Sequence, residues 1–408
     1  MTTDTKKHYQ RRFLRRDVPA LFVILLLTVA SFLAVRHSSF SDFIQYPSAK
    51  TALQLKENPY NPSILLKHQR NLLQNNAVDS AIMFWCPPWV LAFMPPIWFI
   101  ADLNRQAYQW IIIGHIFSFI SALLCYFSTV GMTPRSIWNA WVLAGVGTFC
   151  PAVLNIFTLG QSSSLLVLFG ALSLGAALHG RYMLAGIAAA GLSFKPHLFL
   201  VAAFCLLLEL RRSSKARKFF CGLALGLLTL ALIQEISWPG STLLWVRTLL
   251  FTEFNAETVH RGNWLSATIS GFLRAMLGIA SPVLSLIIPL IAVLLLGWTV
   301  ARGHIKLTFL DMGWIFPVSL LCAPYGFFYD QGALLPVQFL VNACALRRQK
   351  TQNMVLALLG FHILVLFIFF EVATFHHHLW WGPIGILGVT LAIRRKSELA
   401  VRGSDGDE

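Results

Sequence analysis

The sequence predicts an all-α, polytopic membrane protein of about twelve transmembrane helices, with further helices lying at the exterior membrane face. Three observations carry this. Hydrophobic residues make up 56% of the 408 residues and charged residues only 12%, far from the roughly one quarter charged in soluble domains. The apolar runs are long and lack period-two alternation, which argues against a β-barrel. Although the formal net charge is +15, Lys and Arg fall in short clusters between apolar runs. That distribution follows membrane topology and speaks against a nucleic-acid face.

In chain order, Lys6, Lys7, Arg11, Arg12, Arg15 and Arg16 mark a basic cytoplasmic N-terminus over 1–17. The membrane domain covers 18–396 and opens with a spanning helix from Val18 to Val35. Arg36-His-Ser-Ser-Phe-Ser-Asp42 has no small-residue cleavage pattern, so this helix is read as uncleaved. The polar stretch from Arg36 to Ala81 then faces the exterior, broken by Pro47, Pro59 and Pro62. Within it, Tyr46 to Leu55 reads as an amphipathic helix on the membrane surface.

Phe84 to Ile100 is apolar but split by two Pro-Pro pairs. Charge parity decides its path. Arg211-Arg-Ser-Ser-Lys-Ala-Arg-Lys218 is the strongest internal basic cluster and is placed inside. Reading back from it, spans fall at His197 to Leu210, Tyr182 to Phe194, Ser163 to Leu178, Ser136 to Cys150 and Ala107 to Thr129. No crossing is left for Phe84 to Ile100, which is expected to dip into or lie along the outer leaflet.

Downstream, Phe219 to Ile236 returns outside, and Ser237 to Asn263 reads as a long exterior loop. Trp264 to Ile279 contains Arg274, and parity makes it a second juxtamembrane helix. Pro282 to Val300, Leu307 to Cys322, Gly332 to Leu346, Met354 to Phe370 and Leu379 to Ile393 complete the bundle. Residues 397–408 form an acidic, disordered cytoplasmic tail.

On this topology the polar residues near membrane depth concentrate on one side. Asp42, Gln161, Lys195, His197, Arg274, Tyr325, Tyr329, Asp330 and His376-His377-His378 map to exterior helix ends or loops, with Glu209 and Asp311 as exceptions near inner ends. Ionisable groups at such depth are costly and point to function by default. Each also has a plainer reading. Lys195 is either a snorkelling side chain or, because Pro196 breaks the helix there, a phosphate partner set in a notch. Gly160-Gln161-Ser-Ser-Ser164 is either a Ser-capped helix start or a sugar-binding edge. Pro324 to Asp330 is either an aromatic-belt turn or part of the same site.

No metal is expected. Three consecutive His cannot converge on one ion from a regular helix, and Asp42 has no second carboxylate in a D-x-D pair. The seven cysteines show no metal or redox spacing. A lone carboxylate can still accept a proton from an attacking hydroxyl, which suits metal-independent displacement of a pre-activated leaving group such as a lipid phosphate. No cofactor is called for.

These residues resemble a known pattern, that of glycosyltransferase family 87 in the GT-C membrane superfamily, which groups polyprenyl-phosphate-mannose-dependent α-1,2-mannosyltransferases and their relatives. The matching features are Asp42 with Tyr46 and Ala49, Asn58-Pro-Tyr60, Phe84 with Pro87-Pro88, Gly160-Gln161, Lys195-Pro196, and Pro324-Tyr325 with Tyr329-Asp330. The resemblance implies an inverting transfer of a sugar, mannose or another hexose, from a polyprenyl-phospho-sugar to an exterior glycan or glycolipid acceptor at the bilayer. It makes Asp42 the general base and puts Lys195 near the lipid phosphate. On this reading Arg274, His376 and His377 share the phosphate, and Tyr46, Gln161, His197, Tyr325, Tyr329 and Asp330 contact sugar or acceptor. The chain departs from many relatives at Asn263-Trp-Leu-Ser266 and in the His cluster.

The plasma membrane is the expected location, with the site on the periplasmic or exterior face. Two other classes remain open at this point. A carrier or flippase for lipid-linked sugars uses the same cations for a phosphate but calls for inverted repeats and a polar track, neither of which is visible. An envelope-assembly scaffold leaves Asp42 dispensable.

Overall fold

Every regular element among the described residues is helical. The computed structural model describes residues 42–74, 79–130, 151–211, 213–251, 266–278, 283–302, 312–337 and 384. The expected first span, the Ser136 to Cys150 span, the two spans beyond Gly332 to Leu346, the His cluster and both termini lie outside the described residues.

The helices in chain order are α1 (Gln45–Gln54), α2 (Pro62–Leu73), the short α3 (Pro96–Phe99), α4 (Leu103–Val130), α5 (Pro151–Leu159), α6 (Ser163–Leu178) and α7 (Tyr182–Ala189). They continue with α8 (Leu200–Leu208), α9 (Ser214–Ser237), α10 (Ser241–Phe251), α11 (Ile269–Leu277), α12 (Val283–Ala301) and α13 (Met312–Leu321). Short 3₁₀ helices run over Pro88–Phe93, Ala190–Phe194, Pro196–Phe199, Glu209–Arg211 and Phe328–Leu334.

Two described helices are long and apolar enough to cross a membrane, within Leu103–Ser128 and Ser214–Ser237. With 24 residues, α9 is about 36 Å long, against a hydrocarbon core of roughly 30 Å. Its outer side shows Leu225, Leu228, Leu232, Ile233 and Ile236 to the surroundings, while Gly222, Gly226, Leu230 and Gln234 are buried. The other apolar helices are shorter, at Ser163–Leu178, Tyr182–Phe194, Pro196–Leu208 and Ser285–Val300.

Among the described helices, α7 and α9 meet backbone to backbone, and glycine makes it possible. A Cβ built on Gly186 overlaps the Phe219 backbone carbonyl, and one on Gly222 overlaps that of Met183. Backbones thus meet directly, as small residues allow where no water is present to drive helices together. Gly222→Val is expected to force α7 and α9 apart and to cost about 1–3 kcal/mol. The readout is an earlier thermal unfolding midpoint in detergent, with Leu225→Ala on the exposed side of α9 as control; equal midpoints for both variants refute this packing.

The Phe84 to Ile100 segment does not form a membrane-crossing helix. It folds as the 3₁₀ turn Pro88–Phe93 followed by α3, with Phe84, Val90, Leu91, Met94 and Ile97 in the core. Along its irregular backbone, side chains from the segment itself and from elsewhere hydrogen-bond the carbonyls. Lys50 Nζ donates to Ile97 O at 2.6 Å, Trp98 Nε1 to Leu91 O at 2.8 Å, and Gln106 Nε2 to Ile100 O at 2.6 Å. Tyr60 Oη donates to Cys86 O at 3.2 Å and Trp245 Nε1 to Trp85 O at 3.3 Å. Aromatic rings close the outside: Trp98 stacks on Trp238 at 5.3 Å and Trp89 meets Trp245 edge-on at 5.2 Å.

Three expectations change. The helix near Tyr46 to Leu55 does not lie on a surface by one apolar stripe; Gln45 through Ala49 are all buried, enclosed by α2, Tyr60 and Phe84. The stretch after Ser237 contains α10, whose first N–H groups are held by Glu235: Gly240 N and Thr242 N donate to its two carboxylate oxygens. A side chain five residues upstream thereby caps a helix that looked like loop. The helix containing Arg274 is short, Ile269–Leu277, stopped by Gly278 at φ +63°.

Candidate active site

The site forms where α5 gives way to α6. Phe157 O accepts from Gly160 N at 3.2 Å and Ile156 O from Gln161 N at 2.9 Å, which closes α5 through a left-handed residue. That residue is Gly160, at φ +69°. Its missing side chain matters twice, because a Cβ there would stand 2.6 Å from Phe43 Cβ. The bare glycine lets Phe43, and Asp42 beside it, approach the turn.

Gln161 meets them. Its Nε2 donates to Asp42 Oδ2 at 2.5 Å, and its Oε1 accepts from Tyr46 Oη at 3.3 Å. Tyr46 Oη in turn accepts from the Ser162 backbone N–H at 2.9 Å, and Trp110 Nε1 donates to Gln161 O at 3.2 Å. Tyr46 is fully buried. Burial pushes its phenol well above the ordinary tyrosine value, helped by the nearby Cys86 and Asp42, so it remains a hydroxyl. The Asp42 backbone carbonyl accepts from Gln45 Nε2 at 2.8 Å, tying the turn to the start of α1.

Two residues along the same strip of chain, Ser163 Oγ donates to Asp330 Oδ1 at 3.1 Å. Lys195 Nζ donates to the same oxygen at 2.6 Å, and Phe327 N donates to Asp330 Oδ2 at 3.0 Å. The pair is secluded, with side-chain exposures of 10% for Lys195 and 2% for Asp330. Gln161, Ser162 and Ser163 thus join the Asp42 carboxylate to the Lys195–Asp330 ion pair through consecutive residues. Cys86 from the proline segment lies among them, its thiol pushed up by burial and drawn down by Lys195.

His197 and Tyr325 stack with ring centroids 3.9 Å apart. His197 Nε2 is buried with no hydrogen-bond partner among the described residues. The Tyr325 turn is fastened by Ser266: Gly326 N donates to Ser266 Oγ at 3.0 Å, and Ala267 N to Gly326 O at 2.6 Å. Ser319 on α13 accepts from Ala202 N and donates to Leu198 O, fixing the start of α8 next to His197.

Of the residues singled out in the sequence, Asp42, Tyr46 and Gln161 are joined by direct hydrogen bonds. Lys195 and Asp330 form an ion pair, and His197 with Tyr325 forms a stack. Lys195, expected to face a phosphate, has its ammonium directed to Asp330 because both charges are withdrawn from solvent and satisfy each other. Arg274 is buried on α11 and donates to Ser285 Oγ at 3.1 Å, joining α11 to α12. Tyr329 lies on the Phe328–Leu334 turn, but its side chain falls outside the description, as do His376 and His377. Among the described residues no cluster of His, Cys, Asp or Glu offers a metal site.

Ser163 and Trp110 were not singled out individually. Ser163 stood inside a stretch read as a possible cap, and nothing in the sequence separates Trp110 from the other Trp residues.

The arrangement holds a carboxylate whose one oxygen is engaged by an amide, next to a buried, charge-balanced pair. It links a carboxylate to a buried ion pair through three consecutive residues. No family model matches the chain, and neither the curated proteins nor the solved structures contain a match to it.

Proposed function

We propose that the chain is a multi-pass plasma-membrane glycosyltransferase that moves a hexose, most simply mannose, from a polyprenyl-phospho-sugar to a glycan or glycolipid acceptor on the exterior face. The observation that carries this reading is the continuous link from the Asp42 carboxylate, through Gln161 to Ser163, to the buried Lys195–Asp330 pair. It sets a base and a cation in one hydrogen-bonded assembly, the two charges that a displacement from a lipid phosphate requires. The sequence resemblance to glycosyltransferase family 87, carried by these same residues, suggests the donor class.

In the proposed step, the acceptor hydroxyl oxygen attacks the anomeric carbon as its proton passes to Asp42. The bond from that carbon to the phosphate oxygen breaks, and its electron pair leaves with polyprenyl phosphate. A single displacement inverts the anomeric centre. Lys195, its ammonium aimed by Asp330, stabilises the charge building on the leaving phosphate.

The test is product mass. Purified protein in proteoliposomes is supplied with synthetic polyprenyl-phospho-mannose, or its other hexose and pentose counterparts, and with alkyl glycosides as acceptors. The expected result is an acceptor heavier by one sugar residue with equal release of polyprenyl phosphate. Movement of intact donor between leaflets, with no chemical change, would instead identify a carrier and overturn the proposal.

A further inference from the structure

We infer that Tyr46 and Gln161 are positioning residues for Asp42, the Tyr46 hydroxyl deciding which way round the Gln161 amide sits and the amide holding the Asp42 carboxylate in its acceptor-only form. This rests on the reading of Asp42 as the base, and it gives both residues a role other than touching sugar.

The argument is one of hydrogen-bond polarity. A backbone N–H can only donate, and that of Ser162 points at Tyr46 Oη from 2.9 Å. The single phenolic proton is therefore directed at the other neighbour, Gln161 Oε1, at 3.3 Å. Tyr46 is fully buried, so water does not compete for either bond. With Oε1 committed to Tyr46, the amide nitrogen faces Asp42 Oδ2 at 2.5 Å. The reverse orientation sets an amide oxygen against a carboxylate oxygen, and an NH₂ against a hydroxyl whose oxygen already accepts from Ser162 N and whose proton then has no acceptor; both are unfavourable. An ordinary Gln–Asp bond leaves the amide free to turn over; here a donor 115 residues away in sequence from that amide, Tyr46, settles it.

Nothing else described in the cluster can do this. Trp110 Nε1 holds the Gln161 backbone oxygen rather than its side chain. The titratable groups around the amide are Asp42 and Tyr46 on the α1 side, Cys86 in the proline segment, and the Lys195–Asp330 pair reached through Ser163.

Gln161→Glu provides the discriminating experiment. It is nearly isosteric and keeps an oxygen facing Tyr46, but it replaces the N–H donor with a second carboxylate oxygen beside Asp42. Two carboxylates that close share one proton, so the ionised base forms only at higher pH. The expected result is an acid limb of the kcat profile moved up by about one pH unit or more. Transfer falls roughly tenfold at neutral pH and recovers in part as pH rises, while donor and acceptor KM stay within about twofold. Tyr46→Phe, which removes the orienting hydroxyl, is expected to lower kcat about tenfold with the same small effect on KM.

Acid limbs unmoved in Gln161→Glu together with a raised KM would overturn the inference, since Gln161 would then be contacting substrate. If Asp42→Asn is inactive while neither Gln161→Glu nor Tyr46→Phe alters the kcat profile, the positioning role alone falls. Full activity in Asp42→Asn removes the base, and the inference falls with it.

Discussion

Asp42→Asn is expected to lower sugar transfer by about 10²–10⁴-fold, the range supplied by a positioned general base, while leaving the fold intact. The variant keeps the geometry. An asparagine carbonyl accepts the Gln161 Nε2 hydrogen bond as the carboxylate does, and the bond from Gln45 to the residue 42 backbone carbonyl does not involve the side chain. What disappears is the ability to take a proton. Asp42→Glu tests position instead, because one extra methylene pushes the carboxylate about 1 Å along its line to Gln161, and a shift of that size costs on the order of 10²-fold. Product mass gives the rate and a detergent melt gives the stability. Wild-type turnover by Asp42→Asn ends the assignment of Asp42 as the base.

The second large effect is at Lys195. Removing one member of a buried ion pair leaves the other charge uncompensated, a loss of about 3–5 kcal/mol. Lys195→Met leaves Asp330 with the Ser163 hydroxyl and the Phe327 N–H as hydrogen-bond donors, neither of which carries charge. The variant is expected to unfold at a clearly lower temperature. Lys195→Met combined with Asp330→Asn removes both charges and keeps one carbonyl oxygen to accept from Phe327 N, while the new NH₂ can donate to the Ser163 hydroxyl, so most of the stability returns. Transfer is not expected to return, because the double variant has no cation for the departing phosphate. Recovery of transfer along with stability would reduce Lys195 to a structural role.

The helical segments were readable wherever apolar periodicity and punctuation agreed. The bounds Ser163 and Leu178 follow from a run of serines and the Gly180-Arg181 turn, and they coincide with α6. Charge parity left no crossing for Phe84 to Ile100, and its two Pro-Pro pairs break it into the 3₁₀ turn and α3, because proline cannot supply the N–H groups a long helix needs. The surroundings of that segment were not readable: its carbonyls are met by Lys50, Tyr60, Gln106 and Trp245, residues that a single sequence gives no reason to join.

The site shows the same division. Residue type and topology singled out Asp42, Gln161, Lys195 and Asp330, since polar groups in an apolar chain are conspicuous, whereas Tyr46 entered through the family resemblance. Their pairing was hidden. Nothing local indicates that Lys195 answers Asp330, or that Tyr46 reaches past Gln161 to the Ser162 backbone. α10 was missed for a different reason: Pro239-Gly240 reads as a turn, and the Glu235 carboxylate that starts the helix lies on the far side of it.

The separation between partners also orders events in time. Asp330 is polymerised 135 residues after Lys195, and Gln161 is 119 residues after Asp42. At about 5–20 residues per second, the lysine is made roughly 7–27 seconds before its carboxylate exists. The half-made chain must therefore hold an ammonium at the notch after α7 until the Phe328–Leu334 turn arrives. Assembly of the site therefore waits on a turn made well after both the lysine and the Asp42 carboxylate.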